Sequence, residues 1–174
     1  MWLWLALDVH TKVVLVLQVG PRTQALAQRV GHEVCSYLAP GCVPWFRSDG
    51  LDHYFYALTA HFAEWCQALG ERKRRWVVAT NWWYGQVKKV YRRCRLVRVE
   101  YRMRLGQLTE LTTKLRDLGL GRVLNTAFVE RVNLTIRPGG PALIRRTWSM
   151  AQEQGERCLQ LEWWRGYYHA GPWV

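Results

Sequence analysis

Asn125-Thr-Ala-Phe-Val-Glu130-Arg131-Val-Asn133-Leu-Thr-Ile-Arg137 reads as a short amphipathic helix. Asn125 or Thr126 can cap its start, accepting from a backbone N–H that has no partner within the helix. Pro138 and the two glycines after it are expected to stop the helix at Arg137. At about 100° per residue, Phe128, Val129, Val132 and Ile136 share one apolar face. Glu130, Asn133 and Arg137 fall on the opposite face, with the carboxylate at its centre. Spacing alone leaves two readings open, because any solvated helix also turns its acid away from its apolar side.

The chain around that helix is strongly basic. Its 174 residues suit one domain with a real core, and 49% hydrophobic residues is ordinary for a globular protein. A net charge of +12 is not ordinary, and it favours a polyanionic partner, nucleic acid before an anionic membrane surface. The five cysteines, at 35, 42, 66, 94 and 158, form no Cys-x-x-Cys pair and have no finger-like histidine spacing. That argues against a structural zinc site and for reduced thiols in a cytosolic protein. The apolar runs 2–7 and 13–19 are too short to span a bilayer, and the first has no basic segment before it.

In chain order, those two runs flank Asp8-Val-His10-Thr11-Lys12 and read as a β-hairpin covered on both faces. Asp8 is a natural turn former. Thr23 caps a helix predicted to reach about Leu38, with Leu26, Val30, Val34 and Leu38 on one face. Residues 43–47 form a short strand that delivers Ser48-Asp49-Gly50. An Asp at a strand end is well placed for a ligand in an α/β fold, although Asp-Gly is also a common turn. The charge concentrates between about residues 70 and 120. Glu71-Arg-Lys-Arg-Arg75 is a short basic run, and Gln86–Arg104 holds eight Lys or Arg against one acid, Glu100. From Arg95 onward charged and apolar residues partly alternate, as in a strand with one wet face. Lys88, Lys89, Arg92, Arg93 and Arg95 suit a phosphate backbone, or simply a solvated basic face. Trp82-Trp83-Tyr84 reads as core. Residues 107–118 form a helix with Leu108, Leu111, Leu115 and Leu118 inward, and 142–170 are helical, broken near Gly155.

Glu130-Arg131-x-Asn133 within its helix, followed by Arg145-Arg146-Thr-Trp-Ser149, resembles the end of a DDE transposase catalytic domain of the bacterial insertion-sequence-one type. The resemblance runs from Trp2-Leu-Trp-Leu-Ala-Leu-Asp8 to Trp163-Trp164-Arg165-Gly-Tyr167-Tyr168-His169, and takes in Ser48-Asp49-Gly50 with the aromatic segment after it. It implies a single α/β domain over 1–174. Its fold would be a ribonuclease H-like mixed sheet flanked by helices, lacking the family's first strand, with a basic insertion at about 70–120 before the last catalytic helix. It implies metal-dependent DNA cleavage and strand transfer, with Asp49 and Glu130 as catalytic ligands of Mg²⁺ or Mn²⁺. Asp8 matches the family's hairpin-turn acid rather than a ligand.

Lys88, Lys89, Arg92, Arg93, Arg95, Arg131, Asn133, Arg145 and Arg146 are the expected DNA-binding residues. The implied partners are double-stranded DNA, as transposon ends and target, and further copies of the chain. No membrane is implied, and the place is the cytoplasm, on the nucleoid. The family's first Asp would lie ahead of Trp2, and relatives continue past the Tyr-Tyr-His region. The expectation is therefore a chain truncated at both ends, with strand transfer impaired, or a start codon set too late. The alternative is a non-catalytic DNA-binding remnant that regulates full-length transposase, with RNA binding a weaker third reading.

Overall fold

A computed structural model describes residues 2–70, 72–119, 121, 127–139 and 154–171. The fold is mixed α/β, with five helices and three small sheets among the described residues. The chain divides into two compact units, Met1–Tyr37 with Ala127–Val174, and Leu38–Thr126. The second takes in the stretch 70–120 together with the Ser48-Asp49-Gly50 strand.

In the first unit, β1 (Trp2–Leu7) and β2 (Val14–Gly20) form the antiparallel hairpin that the two apolar runs predict. Asp8 makes the turn. Its carboxylate accepts from the His10 and Thr11 amides and the Thr11 hydroxyl. Burial pushes the Asp8 pKa up, but these hydrogen bonds outweigh it and hold the group below the usual carboxylate range. Alternation along the strands gives the hairpin two apolar faces. The helix α1 (Gln24–Ser36) covers one, with Leu26, Ala27, Val30 and Val34 buried. The Thr23 side chain accepts from the Leu26 amide at its start. Gly20 gives Leu26 room to pack, since a Cβ there would lie 2.5 Å from the Leu26 Cδ2 and push that side chain aside. The helix ends at Ser36, so Leu38 lies beyond it.

The other face, Leu3, Leu5, Leu7, Leu17 and Val19, packs on α4 (Ala127–Gly139) and α5 (Gln154–Ala170) through Val132, Ile136, Leu161, Trp164 and Tyr168. Fully burying a side chain such as Ile136 stabilises by roughly 1.5–3 kcal/mol. Two longer-range bonds tie α5 to β2. The Val14 amide donates to His169 Nε2 at 3.1 Å, and Arg165 donates to the Leu15 carbonyl at 3.2 Å. The helix α4 continues two residues past the expected stop at Arg137, because the fixed φ of Pro138 is itself helical. The expected cap, Asn125 or Thr126, lies outside the described residues, as do 142–153.

In the second unit, β3 (Phe46–Asp49) runs parallel to β6 (Tyr84–Arg92), which pairs antiparallel with β7 (Arg95–Leu105). The strand predicted at 43–47 starts three residues later. Pro44 has no N–H for a ladder, and pairing begins with Phe46 opposite Tyr84. The helix α2 (Asp52–Thr59) contributes Phe55 and Leu58 to a cluster with Phe46, Phe62, Trp82 and Tyr84. The helix α3 (Leu108–Asp117) packs Leu111 and Leu115 against Trp83, Val87, Val99 and Met103. Leu108 and Leu118, expected inward, are 46% and 52% exposed because they sit at the two ends of this ten-residue helix, off its packed stripe. Trp82, Trp83 and Tyr84 are core, as the sequence suggests. The hairpin of β4 (Ala63–Cys66) and β5 (Arg75–Val78) was not foreseen.

Candidate nucleic-acid interface

β3 pairs with β6 only from Tyr84 to Val87. Beyond Val87, β6 has β7 alone as a neighbour, through Lys88↔Glu100, Lys89↔Val99, Val90↔Arg98, Tyr91↔Leu96 and Arg92↔Arg95. The pair therefore leaves the sheet as a two-stranded ribbon, and every residue from Tyr91 to Arg98 is exposed. The base of this ribbon is still covered, since Lys89, Val90, Val99 and Glu100 are half-buried and Val99 packs in the α3 cluster, so the free part is the end from Tyr91 to Arg98. Two residue pairs at about 3.4 Å per residue give it a reach of roughly 7 Å before the turn.

The tip is a two-residue turn in which Arg93 (φ 46°) and Cys94 (φ 61°) are both left-handed. That is the backbone of a tight hairpin turn usually built from Asn-Gly, and side chains such as these adopt it at a cost of about 1–2 kcal/mol each. The arrangement sets Arg92, Arg93 and Arg95 around the tip. Lys88 and Arg102 are exposed further back, and Lys89 is half-buried. Two cations of the ribbon are already held by acids. Arg98 pairs with Glu100, and Arg104 pairs with Asp52 at 2.8 Å while lying 4.2 Å over the Phe55 ring. Tyr91 and Tyr101 add exposed aromatic surface, at 58% and 46%.

Asp49 is the last residue of β3, at the strand end as expected. Its Oδ1 accepts from the Leu51 amide at 3.0 Å, which turns the chain into α2. Beside it the Ser48 hydroxyl donates to the Asp49 carbonyl at 2.8 Å, so the Tyr84 hydroxyl 2.6 Å away donates to Ser48. Burial pushes the Tyr84 phenol up to about 12, with hydrogen bonds to Ser48 and Gln86 opposing the rise and the Asp49 charge adding to it. Tyr84 is thus a locked structural donor at neutral pH. The Lys88 stem lies against Gly50, where a Cβ would sit 3.1 Å from its Cγ. The Asp49 carboxylate, the Tyr84 phenol and the Lys88 stem thus lie at this strand end, and Arg104, whose charge lowers the Tyr84 pKa, engages Asp52.

Glu130 is half-buried on α4, in the first unit, whereas Asp49 belongs to the second. Arg131 is exposed, near enough to Tyr168 for its charge to lower a phenol pKa that burial raises. Asn133 is half-buried, and Lys12 of the hairpin turn lies 3.7 Å over the Phe128 ring of the same helix. Arg145 and Arg146 lie outside the described residues. Among the described residues, no three His, Cys, Asp or Glu side chains gather into a group able to hold a metal ion. None of the helices among them is long and apolar enough to cross a membrane.

No protein-family model matches this chain, and neither the curated proteins nor the solved structures give a match.

Sequence reasoning located the cations of the ribbon but not their presentation. Only the run from Arg95 alternates, so no periodicity before Arg92 marks the partner strand, and the Arg93-Cys94 turn lacks the usual glycine. The Ser48–Tyr84 pair was not foreseen, since no local pattern links residues from two different strands.

Proposed function

We propose that this chain binds double-stranded DNA through the β6–β7 ribbon, as a non-catalytic descendant of a DDE transposase of the insertion-sequence-one type. The observation that carries the proposal is the ribbon itself: a basic, two-stranded arm that continues past the end of β3 and whose tip, Tyr91 to Arg98, is exposed throughout. The major groove of B-DNA admits a two-stranded β-ribbon, and phosphates on either side would meet the arginines at its tip. Displaced counterions then drive binding, which makes it salt-sensitive and largely blind to sequence.

The ribonuclease H-like reading of the fold rests on the helix-covered first hairpin, the parallel β3–β6 pair with Asp49 at its end, and Glu130 on a later helix. Asp49 and Glu130 are the ligands that the resemblance assigns to Mg²⁺ or Mn²⁺. The donors around Asp49 do not fit that role, because Asp52, three residues on, is paired with Arg104, and no group of three His, Cys, Asp or Glu side chains gathers among the described residues. A chain that binds DNA without cutting it would occupy transposon ends or target, and would regulate a full-length enzyme by competition.

The test is binding of a random-sequence duplex, followed by fluorescence anisotropy across a salt series. The expected result is sequence-independent binding that weakens steeply between about 50 and 200 mM salt. Failure to bind at low salt would remove the proposal. Preference for structured RNA at matched salt would move it to RNA.

A further inference from the structure

The β4–β5 hairpin takes no part in the ribbon, yet it carries the other aromatic and basic surface of the second unit. Its cross-strand pairs are Ala63↔Val78, Glu64↔Val77, Trp65↔Trp76 and Cys66↔Arg75. Residues directly opposite share a face, so the two tryptophans lie on the side of Ala63 and Val78. Ala63 is buried, and Val78 and Phe62 pack against the cluster of Leu58, Trp82 and Tyr84. One pair further out that cover ends. Trp65 and Trp76 lie with ring centroids 5.2 Å apart at 60°, and remain 63% and 42% exposed. The loop joining the strands brings Arg72, Lys73 and Arg74 in succession after Glu71, all three exposed, and Arg75, which opens β5 opposite Cys66, lies on the face away from the tryptophans. Glu64 points to the opposite face from the tryptophans.

A cross-strand aromatic pair also stabilises a hairpin that would be marginal alone. That role needs contact between the rings, and it leaves unexplained why so large an indole surface stays in water beside consecutive cations. An exposed indole face on a hairpin with a basic loop is a pairing that holds unpaired nucleic-acid bases: the ring stacks on the base, and the cations take the flanking phosphates. We propose that the Trp65–Trp76 face is a stacking platform for an unpaired DNA base, with the loop cations Arg72, Lys73 and Arg74 gripping the adjoining backbone. The inference rests on the DNA-binding reading above and adds a preference to it. The chain favours DNA with a gap, flap or unpaired nucleotide over intact duplex.

The experiment compares a duplex carrying one unpaired 2-aminopurine with the intact duplex, using the full chain, its Trp65→Leu/Trp76→Leu variant and its Trp65→Tyr variant. The wild-type chain should bind the unpaired substrate about tenfold more tightly, and stacking should quench the 2-aminopurine fluorescence. The double variant should lose both effects while keeping its affinity for intact duplex. Trp65→Tyr, which retains an aromatic face, should keep the quenching. Equal wild-type affinity for the two substrates would overturn the platform whatever the variants do, and so would a preference unchanged in a double variant that still binds duplex. Binding to neither DNA would remove the DNA-binding reading as well, which separates the two failures.

Discussion

Neutralising the ribbon should flatten the salt dependence of DNA binding without unfolding the protein. Arg98 and Arg104 are held by Glu100 and Asp52, and Lys89 is half-buried, which leaves Lys88, Arg92, Arg93, Arg95 and Arg102 as the exposed cations. If each meets a phosphate, log affinity should fall against log salt with a slope of about −4.5, or roughly 500-fold from about 50 to 200 mM. Replacing Lys88, Arg92, Arg93 and Arg95 by Gln would leave one contact and a slope near −0.9. Taking the electrostatic contribution as negligible near 1 M salt, four contacts set an upper bound of four to five orders of magnitude lost at about 50 mM. Two engaged contacts would give about a hundredfold. Isothermal titration or anisotropy at several salt concentrations measures the slope, and circular dichroism checks the fold. All four side chains except that of Arg93 sit on extended backbone, and Gln tolerates the turn no worse than Arg, so the melting temperature should stay put. A variant with the wild-type slope would refute the ribbon as the site of contact.

Three further outcomes are expected. Gly106→Ala should destabilise by about 1–3 kcal/mol, since Gly106 has φ +78° and a Cβ would lie 2.7 Å from Trp83, whereas Cys94→Gly at the strained tip should raise the melting temperature. Tyr84 keeps its proton in the folded state up to about pH 12, while the unfolded phenol ionises near pH 10; stability should therefore be lost as pH rises from about 10 to 12, and Tyr84→Phe should flatten that stretch of an alkaline denaturation curve. Neither the wild-type chain nor Glu130→Gln should nick supercoiled DNA with Mg²⁺ or Mn²⁺, while both bind it; nicking by the wild type that the variant loses would restore the catalytic reading.

Much of this fold is legible where one residue's local role is decisive. Thr23 caps α1 as its position before Leu26 and Val30 suggests, and Asp8 ties the first turn. The alternation from Arg95 onward identifies β7, because a strand leaving its sheet keeps charged and apolar residues on opposite faces. Pattern fails where tertiary neighbours decide. Leu108 and Leu118 fit the apolar repeat of α3 but lie past the ends of its contact with Trp83 and Val87. β4 and β5 are four residues each, too short for periodicity, and only their pairing across Gly70 gives Trp65 and Trp76 a common face. The site follows the same rule. Composition marks Arg92, Arg93 and Arg95 as basic, but their place at an exposed tip depends on where β3 stops pairing and α3 stops covering the ribbon, which nothing in 86–104 encodes. Asp49 is placed by its strand end and Glu130 by its helix, while their chemistry depends on donors brought from elsewhere in the chain.

The central claim is that DNA lies on the ribbon tip, and Cys94 offers a direct test because its thiol is exposed there. A photo-crosslinker attached at Cys94, in a chain whose other four cysteines are serine, is compared with one at Cys158 of α5, also exposed. With duplex DNA at low salt, the account predicts strong crosslinking from Cys94, competed away by unlabelled duplex, and little from Cys158. Crosslinking from Cys158 equal to or above that from Cys94 would contradict it.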